Sequence, residues 1–153
     1  MPIVAFRGQV SVGGRTFAGT GDKIADFLHR NGLTDNVTVL EIKTPDTRVL
    51  GSPYRDGVFA PSVDLAGTVN QVLDQRYQLQ KSMAYLKDTS GVTEVESYSI
   101  KCVVVIGRVP AARDEKKSLE LFRNNINDVL VVTFDELLEK LRHLHTFLWA
   151  EPG

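Results

Sequence analysis

The chain has 153 residues, 42% of them apolar, and 18 Lys and Arg against 19 Asp and Glu give a net charge of −1. That length supports one domain with a sizeable core, and the near-neutral balance excludes a protein drawn to nucleic acid by its overall field. One cysteine excludes a disulfide framework or a cysteine zinc cluster; with no apolar run of about 18 residues and no charged-then-apolar leader, a cytoplasmic protein with no membrane partner is expected.

Residues 3–12 alternate well enough for a strand. The glycines at 13–14, 19 and 21 then make a connection that lacks the lysine spacing of a phosphate-binding loop. Lys23 to His29 and Val37 to Pro45 read as two strands joined by the turn-forming Asn31-Gly32 and Thr34-Asp35-Asn36, hence an antiparallel hairpin. Asp26 lies among apolar neighbours, and a buried carboxylate needs a cation or a donor. Glu41 and Lys43 are two apart on a strand, so both project from one face before Pro45 ends the ladder. A divalent metal between Asp26 and Glu41, with Lys43 beside it, would satisfy all three charges. Glu-x-Lys alone is equally the pattern of an exposed ion pair worth about 0–1 kcal/mol.

Residues 46–61 read as a polar segment, with Arg48, Tyr54 and Arg55 just beyond the carboxylates. From Ser62 to about Lys87, Leu65, Val69, Val72, Leu73, Leu79, Met83 and Leu86 recur at helical spacing, with Gln71, Gln75 and Gln78 as a polar stripe. A loop is expected over 88–98 and a buried strand over 101–108, in which Cys102 is an inert thiol. A helix from Asp114 turns Leu119, Phe122 and Ile126 inward, and Val129–Thr133 is another buried strand. Thr133 and Glu136 have capping-box spacing for a last helix with a stripe of Leu137, Leu138, Leu141, Leu144 and Leu148. His29 should point away from Asp26, and His143 and His145 should lie at the surface. The sum is an α/β fold, a mixed sheet with an antiparallel front half, a parallel back half and helices packed against it.

Asp26 followed by Glu41-Ile42-Lys43 resembles the PD-(D/E)xK nuclease core, with Ala25 where the signature has proline. Wider segments resemble the nuclease domain of the Shedu anti-phage proteins over roughly residues 10–142: Gly13-Gly14-Arg15, Gly21 to Leu28, Leu40 to Pro45, Tyr54-Arg55-Asp56-Gly57, Asn70-Gln71, Val105 to Arg108 and Thr133 to Leu138. The resemblance implies a restriction-endonuclease-like fold and hydrolysis of DNA with Mg²⁺ or Mn²⁺ held by Asp26, Glu41 and the carbonyl of Ile42. Lys43 would position water or stabilise charge, Gln71 would orient the water or Lys43, and Arg48, Tyr54 and Arg55 would contact DNA. It also implies that residues 1–153 are a single nuclease domain, a piece of a longer protein that forms homo-oligomers. Two other readings stand beside it. One is a catalytically inactive nuclease fold that binds nucleic acid or a regulatory partner. The other is a small-ligand sensor, for which residues 101–134 resemble half of a nucleotide-binding sheet but lack the glycine fingerprint.

Overall fold

The alternating stretches on either side of Asn31 do pair. The computed structural model describes residues 3–5, 10–11, 24–25, 27–31, 33–91 and 93–149. Its first strands are β1 (Ile3–Ala5), β2 (Val10–Ser11), β3 (Ile24–Ala25), β4 (Phe27–Asn31) and β5 (Asn36–Ile42). β4 and β5 are antiparallel, with Leu28 opposite Val39 and His29 opposite Thr38. Asn31 shapes the connection, its carbonyl accepting from the Asp35 N–H at 2.8 Å and its side-chain oxygen from the Leu33 N–H at 2.9 Å. Asp35 takes a left-handed φ of 57°, which Asp and Asn tolerate better than branched residues. The single strand expected over 3–12 is instead two strands in different sheets, β1 pairing with β4 and β2 with β3. The glycine-rich connection at 13–21 lies outside the described residues.

Residues 46–61 depart from expectation, because β6 (Leu50–Arg55) and β7 (Val58–Pro61) make a second antiparallel hairpin there. Asp56-Gly57 is its two-residue turn, with Gly57 at φ 64°, the dipeptide that tight hairpins favour. Gly51, Ser52 and Pro53 are poor strand formers and disguise the pattern. The register slips on both sides of Pro53, as a missing N–H allows at a sheet edge.

Helix α1 (Val63–Ser90) starts where Ser62 accepts a hydrogen bond from the Leu65 N–H at 2.9 Å, and it stops at the left-handed Gly91. Leu65, Val72, Leu79 and Leu86 lie on one seam and are fully buried with Val69 and Met83. Gln75, expected on the polar stripe, is buried too, since it falls three residues after Val72 and four before Leu79. β8 (Glu96–Val105) begins well before the apolar run at Lys101, so the loop expected over 88–98 shrinks to a few residues. After it come α2 (Arg113–Asn124), β9 (Val129–Val132) and α3 (Phe134–Trp149).

The main sheet has the order β1-β4-β5-β8-β9, antiparallel from β1 to β5 and parallel from β5 to β9. Its register aligns Val39, Cys102 and Val129 across three strands, and all three are in the core. Cys102 lies 3.5 Å from the Val72 carbonyl, which places this sheet face against α1, and burial pushes its thiol pKa up. Leu119 joins the same core, with Phe122 and Ile126 packed against it. Among the described residues no helix is long and apolar enough to cross a membrane.

Two junctions fix the carboxyl ends of the parallel strands. Gly107 donates its N–H to the Thr44 carbonyl at 3.1 Å and accepts from the Phe134 N–H at 3.0 Å. At φ 60° its missing Cβ would clash with the Thr47 carbonyl oxygen. At the root of α3, the Thr133 N–H and hydroxyl both donate to Glu136, whose carboxylate also takes two 2.7 Å bonds from Arg123. Beyond this first turn the leucine stripe, expected to pack on the sheet, finds no cover: among the described residues none in α3 is buried. His143 and His145 are exposed as expected.

Replacing Gly107 with Ala combines left-handed strain with a steric clash and is expected to cost about 2 kcal/mol or more of unfolding free energy in urea denaturation. Arg123 holds the Glu136 carboxyl down to about 2 from an ordinary 4.5. A pKa depressed by folding contributes stability above the unfolded value, and that contribution is lost as pH falls through the folded one. Glu136→Gln should therefore lower the melting temperature at neutral pH and flatten its fall between about pH 4.5 and 2.

Candidate functional site

The face of β5 that carries Val37 and Val39 into the core also carries Glu41, which is only 2% exposed. Period-two alternation leaves the chain no other choice once the two valines are buried. The ladder continues one residue past the strand, with the Lys43 N–H donating to the Val105 carbonyl at 2.9 Å. Lys43 thus returns to the same side, and its Nζ lies 2.7 Å from Glu41 Oε1. Its own side chain is 32% exposed.

From the first half of α1, Gln71 donates Nε2 to the same Glu41 oxygen at 2.9 Å while its Oε1 accepts from Lys43 Nζ at 3.4 Å. Three side chains from two elements therefore form a closed triangle around one carboxylate oxygen. Glu41 Oε2 is buried and has no hydrogen-bond partner among the described residues. A bare buried carboxylate oxygen is costly, and such an atom calls for a ligand that supplies positive charge or a donor.

The triangle opens onto a cleft of about 570 Å³ lined by Lys43, Asp46, Arg48, Asp64, Thr68 and Gln71 among others. The rim is tied down by local bonds. Ser62 donates its hydroxyl to the Arg48 carbonyl at 2.6 Å while capping α1, and its N–H donates to the Val49 carbonyl at 3.1 Å. The hydroxyls of Thr44 and Thr47 are 3.0 Å apart. Asp64 and Thr68, which the sequence reasoning did not single out for the site, enter the cleft because α1 begins there; their signal was nearness to the Ser62 cap.

Chemically, Lys43 and Arg48 offer cations to an anionic ligand, and the free Glu41 oxygen suits a hard divalent ion, which prefers oxygen donors. Among the described residues no group of three or more His, Cys, Asp or Glu side chains gathers at one point. The described carboxylates near the cleft are Glu41, with Lys43 beside it, and Asp46 and Asp64 on the lining.

A family model for the C-terminal region of Shedu protein SduA matches residues 3–138. The chain belongs to this Shedu family. A Shedu protein SduA from Bacillus cereus (strain B4264) is 34% identical over 150 residues, an alignment covering 94% of this chain and 40% of the relative. The chain thus spans 40% of the length of that curated relative.

Of the residues singled out through the Shedu resemblance, Glu41, Lys43 and Gln71 meet directly and Arg48 lines the cleft. Ile42 ends β5 between the two charged residues, with its side chain 37% exposed on the opposite side of the strand. Tyr54 and Arg55 stand exposed on β6 and are not among the residues lining the cleft. Asp26 lies outside the described residues. Its neighbour Phe27 pairs with Leu40, the residue before Glu41. His29 is opposite Thr38 and so is out of phase with Val37, Val39 and Glu41.

Because one Glu41 oxygen is buried with no partner among the described residues, removing the charge should cost little. Glu41→Gln is expected to leave unfolding free energy unchanged or to raise it by about 1 kcal/mol. Leu79→Ala, by contrast, empties a fully buried seam position and should cost about 2–5 kcal/mol in the same urea titration.

Proposed function

We propose that this chain is a metal-dependent deoxyribonuclease domain of the PD-(D/E)xK type and that it serves anti-phage defence as part of a longer Shedu protein. The observation that carries the reading is the Glu41–Lys43–Gln71 triangle, in which Lys43 and Gln71 line a cleft that also holds Arg48 and one buried Glu41 oxygen has no partner among the described residues. Family membership supports it, and so does the register that sets Phe27 against Leu40, which brings the chain next to Asp26 alongside the strand of Glu41.

In this reading Asp26, Glu41 and the Ile42 carbonyl would hold Mg²⁺ or Mn²⁺. When bound, the ion neutralises phosphate oxygens and lowers the pKa of bound water. The chain's own residues do the rest. Arg48 holds the phosphodiester in the cleft by charge-assisted bonds. Lys43, fixed by Glu41 and Gln71, directs its ammonium at the oxygens on which charge grows as water adds to phosphorus and the ester P–O bond breaks. That charge is larger in the transition state than in the substrate, so the interaction raises the rate rather than merely the affinity. The attacking water loses its proton and the departing oxygen gains one, which balances the hydrolysis. Gln71 fixes the pair by donating to the Glu41 oxygen and accepting from the Lys43 ammonium. Tyr54 and Arg55, exposed on the hairpin, would meet DNA beyond the cleaved bond.

The test is cleavage of linear and plasmid duplex DNA with Mg²⁺ or Mn²⁺ by the purified chain and its Lys43→Ala variant. The parent should cut, and the variant should lose about 10²–10³ in rate while keeping its circular dichroism and its Mn²⁺ binding by calorimetry. A parent that binds DNA but never cuts would favour the inactive binding fold, and a Lys43→Ala variant as fast as the parent would remove the role given to Lys43.

A further inference from the structure

We propose that Arg108, held on the rim of the cleft by its backbone neighbours, binds a DNA phosphate that flanks the one to be cleaved. The inference rests on the reading of the cleft as a site of DNA hydrolysis and adds a contact outside it.

A charge argument calls for such a group. The cations that line the cleft are Lys43 and Arg48, and they are met there by Asp46 and Asp64 and by Glu41 beside Lys43. A DNA strand carries one negative charge per nucleotide, so side chains balanced in this way give it little net attraction, and the chain as a whole, at −1, gives none. Cations that hold the backbone must therefore stand beyond the cleft and must not be engaged already.

The arginines divide along the sheet in this respect. Toward the amino ends of the parallel strands they are matched. Arg30, opposite Val37 near the start of β5, bonds Glu94 at 2.8 Å, and Arg76 bonds Asp128, just before β9, at 3.2 Å. On the segments that follow β5 and β8, Arg48, Arg55 and Arg108 form no ion pair among the described residues. Arg113, further on, shares the field of Asp114 beside it.

Arg108 is fixed from both sides. Before it, Gly107 donates to the Thr44 carbonyl at 3.1 Å and accepts from the Phe134 N–H at 3.0 Å. After it, the Val109 N–H donates to both carboxylate oxygens of Asp135, at 3.2 and 3.1 Å. Thr44 lines the cleft, whereas Arg108 does not, and Arg108 is exposed. Consecutive Cα atoms are about 3.8 Å apart, so its side chain leaves the backbone one step from the residue bonded to the rim. A guanidinium there offers a planar fork that matches two phosphate oxygens, and a backbone already in place lowers the ordering cost of using it.

The test is binding of a fluorescent DNA duplex by the purified chain in EDTA, read by anisotropy over a range of salt concentrations. Arg108→Gln should weaken binding and lower the slope of log K against log salt by about 0.9, the loss of one phosphate contact. Arg108→Lys should keep the slope, since the charge stays, and bind less tightly than the parent, since the fork is gone. Arg142→Gln removes the same charge from α3 and should leave slope and affinity unchanged. Both positions are exposed, so circular dichroism should not change. The proposal is overturned by a parent that does not bind, by an Arg108→Gln variant that matches the parent, by an Arg108→Lys variant no better than Arg108→Gln, or by an equal loss in Arg142→Gln. Cleavage by the parent with Mg²⁺ is scored separately. A chain that binds through Arg108 yet never cuts would end the nuclease reading and leave this phosphate contact standing.

Discussion

Everything near the cleft depends on one carboxylate that the core sequence forces inside. Val37, Val39 and Glu41 share a strand face, and the two valines are the stronger claim on burial, so Glu41 goes in with them. A lone charge there would be untenable, and the fold answers it with a cation two residues on and an amide from the crossing helix. Among the described residues only one of the two oxygens has a partner. Stability alone gives no reason for that asymmetry, because an apolar residue would fill the position at lower cost. A site for a further positive group does give one.

The location follows a general rule of open α/β sheets, in which ligands bind beyond the carboxyl ends of parallel strands. Glu41 is the last residue but one of β5, and Gly107 follows the parallel neighbour β8. The strand ends alone would not hold a shaped cleft. The buried seam of Leu65, Val72, Leu79 and Leu86 fixes the rotation of α1 and so aims Gln71, while Ser62 staples the Arg48–Val49 segment to the helix start. Gly107 admits the Thr44–Thr47 turn to a distance that any side chain would block. The rim is therefore set mainly by backbone contacts, which vary less with side-chain motion than a rim of long side chains would.

The near-zero net charge fits this arrangement. At the cleft Lys43 and Arg48 are balanced by Asp46 and Asp64 on the same lining and by Glu41 beside Lys43. The chain accounts for 40% of the length of its Bacillus relative, so a domain with a weak global field and an open helix face is compatible with work done in company. The exposed stripe of α3 and the bonded path from its first residue through Gly107 to Thr44 show how contacts far from the cleft are mechanically joined to its rim.

Local sequence was enough wherever a residue's partners lie within a few positions along the chain. It determined that Glu41 and Lys43 share a face, that Ser62 starts a helix, that Thr133 and Glu136 begin another, and that Cys102 is buried, because strand and helix periods and caps are short-range geometry. The mixed sheet was legible for the same reason. Helical periodicity did not separate Gln71 from Gln75 and Gln78, and only the Shedu resemblance pointed to it; which glutamine reaches the carboxylate is set by the rotation of α1 against the sheet. Tertiary structure alone revealed the β6–β7 hairpin, whose weak strand formers depend on pairing with each other and on contacts with α2 such as the 3.0 Å bond from the Phe59 N–H to Ser118. It alone left α3 uncovered: a periodic pattern tells which side of an element wants to be buried, but whether the rest of the chain has a surface free to bury it is a long-range question of packing.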